Sequence, residues 1–387
     1  MTRAKLGVLS GRAAEARSGR SRRAHLRAAL LATTAVAALV CASPSSAQTV
    51  WTGTNSDNWF DAGNWSAGLP NNVTDAEVDN IAVNAPAVFA IGANARDLTI
   101  GNSAVGTLVV QSAGVLLTTN GYIGRGLGST GTVTVTGAES TWANTGNFYV
   151  GDQGSGSLMI ANGGEVISND SFVGNIGSGL VTVTGTDSTW RVTDPLIVGN
   201  FGSGTVNVDT GGTVETERVT VGASNGSQGF VNIDGATTTW TASSEFIIGD
   251  AGSGTVTVSS GATVESQTLV VGFGATGFGQ VTLTGPGTTW TTTASTGIGS
   301  DGVGHLRIED GAAFNTVSLS LSTGSGAVTG EGSSLTASGA VFVGASGEST
   351  LTVADRASVT SDGATLALLG IGTANVTSGA NWTSSST

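Results

Sequence analysis

Beyond residue 47 the sequence contains no cysteine and no lysine, and His305 is its only histidine. The missing cysteines exclude disulfides and thiolate metal sites. A single imidazole without a second His, a Cys or a close carboxylate array reads as a surface residue rather than a metal ligand. Proline is scarce at 5 of 387 residues, and only 11% of residues are charged. No long helix-forming run of Ala, Leu, Glu and Lys follows residue 47, while β-branched Val, Ile and Thr fill the intervals between 61 glycines. This composition predicts an all-β chain.

The first residues follow a different pattern. Arg3, Lys5, Arg12, Arg17, Arg20, Arg22, Arg23 and Arg27 precede an apolar run from Ala28 to Val40, and Ser45-Ser46-Ala47 places small residues at a cleavage site. Residues 1–47 therefore read as a secretory signal peptide with a long basic region, its apolar run too short to span a bilayer, and the mature chain is expected to begin near Gln48. Cys41 follows Val40, where a lipoprotein signal would place a small residue. Removing this leader takes away eight of the 14 basic and one of the 27 acidic residues, leaving 6 against 26 and a formal charge of −20. Nucleic acid and anionic lipid, which need basic patches, are excluded as partners. The acidity also keeps an exported protein soluble.

The rest of the chain repeats one phrase. Each Trp of an [ST]TW sequence is followed nine residues later by the Gly of [VI]G: Trp142 and Gly151, Trp190 and Gly199, Trp240 and Gly249, Trp290 and Gly299. Leu335 and Gly344 keep the same register, and a second glycine mark falls 23 residues after the first, at Gly174, Gly222 and Gly272. A fixed period of this length is the signature of a solenoid. The full unit spans 45–50 residues, with its variable segment expected just before the Trp. Inside each half-unit, apolar residues alternate with small or polar ones, as in Val206/Val208, Val231/Ile233 and Val256/Val258. Period-two patterning points one row inward and leaves a Thr row outside. Three short strands per 24 residues, joined by glycine corners, predict a right-handed parallel β-helix, a β-solenoid of about 24 residues per coil with a 45–50-residue double-coil repeat. Twelve such coils from Leu98 onward would form a rod on the order of 60 Å long.

Residues 48–97 are expected to hold the N-terminal cap and first strands, and residues 98–387 the repeats. Trp51, Trp59, Phe60 and Trp65 crowd the opening. They read as a cover for the open end of the core, with a sugar-binding aromatic face as the alternative. Asp75, Glu77 and Asp79 alternate, so on a strand they share a face; solvated carboxylates and a Ca²⁺ site are both open readings.

The units GDQGSGSLMIANGGEVISNDSFVGNIGSGLVTVTGTDSTW and GNFGSGTVNVDTGGTVETERVTVGASNGSQGFVNIDGATTTW resemble the repeat of autotransporter (type V secretion) passengers and PEP-CTERM-associated proteins. The opening WTGTNSDNWFDAGNWSAGLPNN is similar to the start of such passengers. The resemblance implies a Sec-exported β-helical passenger at the cell surface or outside the cell, associated with the outer membrane and often adhesive. Its membrane link would run through a translocator barrel, and the chain carries none before Thr387. By the nine-residue interval Trp382 calls for a further glycine, so the sequence is expected to stop inside a repeat, with an open last rung inviting end-to-end self-association.

Glu215, Glu217 and Glu265 are the residues that would carry an enzyme reading. Two coils would separate Glu215 from Glu265 by about 10 Å, a spacing that glycoside hydrolysis allows. These are copied positions beside turns, no basic residue joins both, and Arg218 is expected to point the other way. Gly126-x-Gly128-x-x-Gly131 matches a dinucleotide fingerprint as a string, but a strand follows it rather than a helix. Sequons such as Asn225-Gly-Ser read as accidents of composition. The expectation is a structural or adhesive passenger with no catalysis and no cofactor, contacting a host, matrix or carbohydrate surface. A polysaccharide lyase or glycoside hydrolase and a non-adhesive spacer are the alternatives.

Overall fold

The computed structural model describes residues 47–79 and 84–385. Residues 1–46, which carry the expected signal peptide, lie outside the described residues. The described chain is an all-β parallel solenoid built from a 13-stranded and a 21-stranded sheet, with no α-helix among the described residues.

One coil shows how the sequence makes the fold. Thr130–Thr136 lies in the 13-stranded sheet, and Thr141–Asn144 and Phe148–Val150 lie in the other; the next coil restarts at Ser155. In some coils the two shorter strands run on as one, as in Thr239–Ile248. Val133, Leu158, Val181, Val206, Val231 and Val256 stand in one inward column, each paired in register with the next and almost fully buried. The alternation thus continues from coil to coil as a ladder. Fully burying each such side chain contributes about 1.5–3 kcal/mol, and every coil closes the edge of its neighbour. One strand of the 13-stranded sheet, Ala87–Val88, precedes Leu98, which leaves twelve of the thirteen beyond it, as the repeat length predicts.

The Trp residues behave as register marks. The inward column of the 21-stranded sheet reads Trp142, Val166, Trp190, Val214, Trp240, Val264, Trp290. Every Trp in it is fully buried. Coils stack about 4.8 Å apart, and the intervening Val leaves room beside each of these indoles, until Trp290 is followed directly by the buried Phe314.

Every buried indole also needs a hydrogen-bond acceptor, and the preceding coil provides it. Trp142 donates to Thr118 Oγ1 at 2.9 Å, Trp190 to Ser168 Oγ at 3.0 Å, Trp240 to Thr216 Oγ1 at 3.2 Å and Trp290 to Ser266 Oγ at 3.1 Å. Further along the column Trp382 repeats the bond to Ser361 Oγ at 3.1 Å. Neighbouring columns adjust their volume to the rings. Phe148 packs edge-on to Trp142 with centroids 5.0 Å apart, and one coil earlier stands Gly121, where a Cβ would come within 2.7 Å of Phe148.

The corners separate the two kinds of coil. Before a Val coil three residues turn the chain, as at Thr210-Gly211-Gly212, where Thr210 and Gly211 have φ of 52° and 85°. Both central residues are left-handed, as in a type I′ turn. Before a Trp coil four residues turn it, as at Gly235-Ala236-Thr237-Thr238. The hydroxyl of Thr238 is buried between these two corners, accepting from the Gly211 N–H at 3.0 Å and donating to the Asp234 carbonyl at 2.7 Å. Ser188, Thr288 and Ser333 accept the same bond from Gly163, Gly261 and Gly311. This accounts for the hydroxyl residue two places before Trp142, Trp190, Trp240 and Trp290, whereas Ala380 stands there before Trp382. The segment before the Trp is therefore constant in length. The variable stretch follows the [VI]G mark, with three residues after Gly174 and five after Gly222 before the next strand, which corrects the sequence-based placement.

The [VI]G corner itself requires glycine. Gly199 has φ +73°, and a Cβ there would lie 2.2 Å from the Gln228 carbonyl oxygen of the following coil. Backbone conformation and the stacking distance exclude a side chain independently.

At the start of the solenoid Trp51, Trp59 and Trp65 are buried and pack edge-to-face, with centroids 5.0 Å and 4.7 Å apart. The Trp65 indole donates to the Trp59 carbonyl at 2.9 Å, and that of Trp51 to Asn84 O at 2.7 Å. These rings belong to the core, so they offer no exposed aromatic face for sugar.

Candidate functional site

The solenoid converts each outward position into a column, so candidate sites have to be sought along the rod. The sequence-marked Trp142, Trp190, Trp240 and Trp290 all face inward, and Gly151, Gly199, Gly249 and Gly299 are corners with φ between +70° and +76°. These residues are architectural.

Glu215 and Glu265 stand in one outward column with Thr241 between them, two coils apart as the repeat predicts. The structure adds a partner that spacing alone did not reveal. Arg191, one coil before Glu215, donates through Nε to Glu215 Oε2 at 2.8 Å and through Nη1 to Glu165 Oε1 at 3.2 Å. Arg218 instead faces Glu245 at 3.3 Å. Thus Glu215 is an acceptor already engaged by a cation, whereas Glu265 has Thr241 and Thr291 as its column neighbours. The two carboxylates are not brought together as an acid–base pair. Arg191, Glu215, Glu217, Thr193, Thr241 and Ser243 line a shallow cleft of about 430 Å³. All of these ion pairs are partly exposed, a setting in which such a pair contributes about 0–1 kcal/mol.

Asp75, Glu77 and Asp79 are each held by protein donors. Arg96 bridges to Asp75 at 2.7 Å. Gln48 Nε2 and Asn102 Nδ2 donate to Glu77 at 2.8 and 3.2 Å. Asp79 accepts from the Asn102 and Ser103 backbone N–H groups and from the Ser103 hydroxyl. Among the described residues no group of three or more His, Cys, Asp or Glu side chains is arranged to hold a metal. His305 Nδ1 lies 2.8 Å from Ser325 Oγ, and its ring packs 5.5 Å from that of Phe278.

Burial, and then the neighbouring Asp79, push the Glu77 carboxyl above its usual range, and burial does the same to Asp250. The folded chain holds these protons more tightly than the unfolded chain, so stability rises as pH falls through the raised values toward those of the unfolded chain. Asp234 is lowered by hydrogen bonds from Ser259 and Ser260. Its contribution is lost only when pH falls through that depressed value. The urea midpoint is therefore expected to rise as pH is lowered from neutrality through the raised values of Glu77 and Asp250 toward their ordinary ones, and relief of self-repulsion among the excess carboxylates acts in the same direction. A midpoint that falls over this interval would contradict the assignment of Glu77 and Asp250.

Two outward surfaces were not visible in the sequence. On the 21-stranded sheet, Tyr122, Tyr149 and Phe172 occupy adjacent coils in one column. Their rings stack nearly parallel, with centroids 5.2 and 4.9 Å apart, and the Arg125 guanidinium lies 4.2 Å above Tyr122. The facing sides of the rings are covered by one another, Arg125 covers Tyr122 and Ile197 stands next to Phe172 in the column, which leaves edges rather than a platform for a ligand. The 13-stranded sheet presents the other surface. From Val105–Gln111 to Phe278–Thr284, the first three outward positions of every strand are uncharged. They are filled mostly by Thr, Ser, Asn and Gln, with Phe230 and Phe278 38% and 39% exposed. Each position recurs at one-coil intervals, so the face repeats equivalent polar groups along the rod.

No family model matches the chain, and no curated protein matches it. Among solved structures, the chain is similar to a TibC-catalyzed hyper-glycosylated TibA55-350 fragment, with 15% identity over 80% of this chain and 98% of that one, at a TM-score of 0.39.

Proposed function

We propose that the chain is an exported, surface-displayed β-solenoid passenger of autotransporter type whose role is structural and adhesive rather than catalytic. The observation that carries this reading is the long face of the 13-stranded sheet, where chemically similar outward groups recur coil after coil. Copied weak sites on a stiff rod gain avidity on any surface that itself repeats its ligand. The passenger assignment draws on the VGxxGSGxVxVxxGGxV and STW repeat pattern and on the basic leader sequence. Sec export and display at the outer membrane follow from that assignment, with a host, matrix or carbohydrate surface as partner.

The test is retention of purified residues 48–387 on an array of matrix proteins and polysaccharides. Adhesion predicts retention that strengthens steeply with ligand density on the array, and no retention on any surface would remove it. New reducing ends or unsaturated uronate products in the same samples would establish the enzyme reading instead.

A further inference from the structure

We infer that the uncharged long face, centred on Phe230 and Phe278, is the contact surface for a neutral polysaccharide. The inference rests on the adhesive reading and specifies its ligand class.

Charge provides the first argument. The chain has 27 acidic residues against 14 basic ones, eight of the basic ones ahead of residue 28, yet none of either sign occupies the first three outward columns of this face over the strands from Val105–Gln111 to Phe278–Thr284. Asp209 and Asp234 stand in the fourth column at its margin. Beyond the face, Arg307 and Glu309 neutralise each other at 2.7 Å. A polyanion meets no cation here and is repelled by the remainder of the rod, and a second copy would bring a like charge against it. A neutral ligand has no such cost.

The side chains supply the second argument. A sugar ring presents an apolar C–H face and a rim of hydroxyls, so it is bound by an exposed aromatic beside planar amides. Phe230 stands between Thr205 and Thr255, and Phe278 adjoins Ser253. Gln228 and Asn232 flank Phe230 on its own strand, and Gln280 follows Phe278 on the next but one. Phe278 also lines an open cleft of about 230 Å³ together with Gln228, Ser253, Asn225 and Thr276, a space on the scale of one hexose ring. The two Phe residues lie two coils apart, roughly 10 Å along the rod, and in neighbouring outward columns, since Phe278 shares a column with Gln228 and Phe230 with Gln280, so a chain touching both rings crosses the face diagonally. Both are outward, so neither contributes to the inner ladders.

The test is native gel electrophoresis of the full-length chain in gels containing a soluble β-glucan, xylan or galactomannan, with polygalacturonate as the anionic comparison. At least one neutral polymer is expected to slow the chain in proportion to its concentration while polygalacturonate does not. The double variant F230A/F278A should weaken that effect about tenfold, as expected for two lost ring contacts, while E215Q, in the charged cleft on the other sheet, leaves it unchanged. Melting followed by circular dichroism verifies that each variant is folded. Slowing by polygalacturonate alone, by none of the neutral polymers, or equally in F230A/F278A overturns the assignment. If the chain binds a matrix protein on the array while F230A/F278A binds it equally, adhesion stands and this face falls. A sedimentation-detected dimer abolished in F230A/F278A would make a second copy the occupant and also overturn it.

Discussion

Replacing Trp240 with alanine is expected to destabilise its section of the solenoid by about 3–5 kcal/mol, the range for a fully buried aromatic reduced to a methyl group. Trp240 is fully buried between Val214 and Val264, touches Phe246 at a centroid distance of 5.6 Å and is the indole donor to Thr216. The damage should be local, because coils in a solenoid interact chiefly with their neighbours. Hydrogen exchange is the suitable measurement: Val219–Val221 and Thr263–Val271 should lose protection while Thr130–Thr136 keeps it. W240L should cost less, since the chain itself places Leu335 at the equivalent position. T216V, which removes only the acceptor, should cost about 1–3 kcal/mol through the stranded indole N–H. Unchanged protection in W240A would mean that the column does not hold the coils together.

The second large effect is expected at the corner. Gly199→Ala forces a residue with a Cβ into φ +73°, which costs about 1–2 kcal/mol, and drives that Cβ against the Gln228 carbonyl, adding about 1–3 kcal/mol of overpacking. Since the obstructing atom is backbone, no rotamer change relieves the contact. A urea titration should show a lowered midpoint together with broadening, as two blocks of coils begin to melt separately. Gly128 offers the contrast: it also has positive φ, at +77°, but a Cβ there meets nothing within 4 Å. Gly128→Ala should therefore show the conformational cost alone. Equal effects at the two sites would refute the stacking argument.

These expectations show which features were legible in the sequence. The inward ladders were, because Val206/Val208 and their copies alternate with a period that only a strand explains. The corners were, because Gly199 and its copies recur at fixed intervals from Trp. What escaped is whatever depends on which coil lies above which. Alternation turns Thr216 inward, two residues after Val214, but only the stacking of coils shows that its hydroxyl is the acceptor for the Trp240 indole of the next coil. Arg191 reaches Glu215 across 24 residues of chain, whereas sequence spacing points to the nearer Arg218, which pairs with Glu245 instead. The uncharged face likewise emerges only when strands from Val105 to Thr284 are laid in register.

The alternation of Trp and Val coils, each with its own corner length, also governs how such a chain can change size. Deleting the coil of Val214 would set Trp190 against Trp240 and a four-residue corner against another; deleting two restores the alternation of column residue and corner. Insertions and losses are thus expected to be tolerated best in even numbers of coils, changing the rod's reach in increments of about 10 Å.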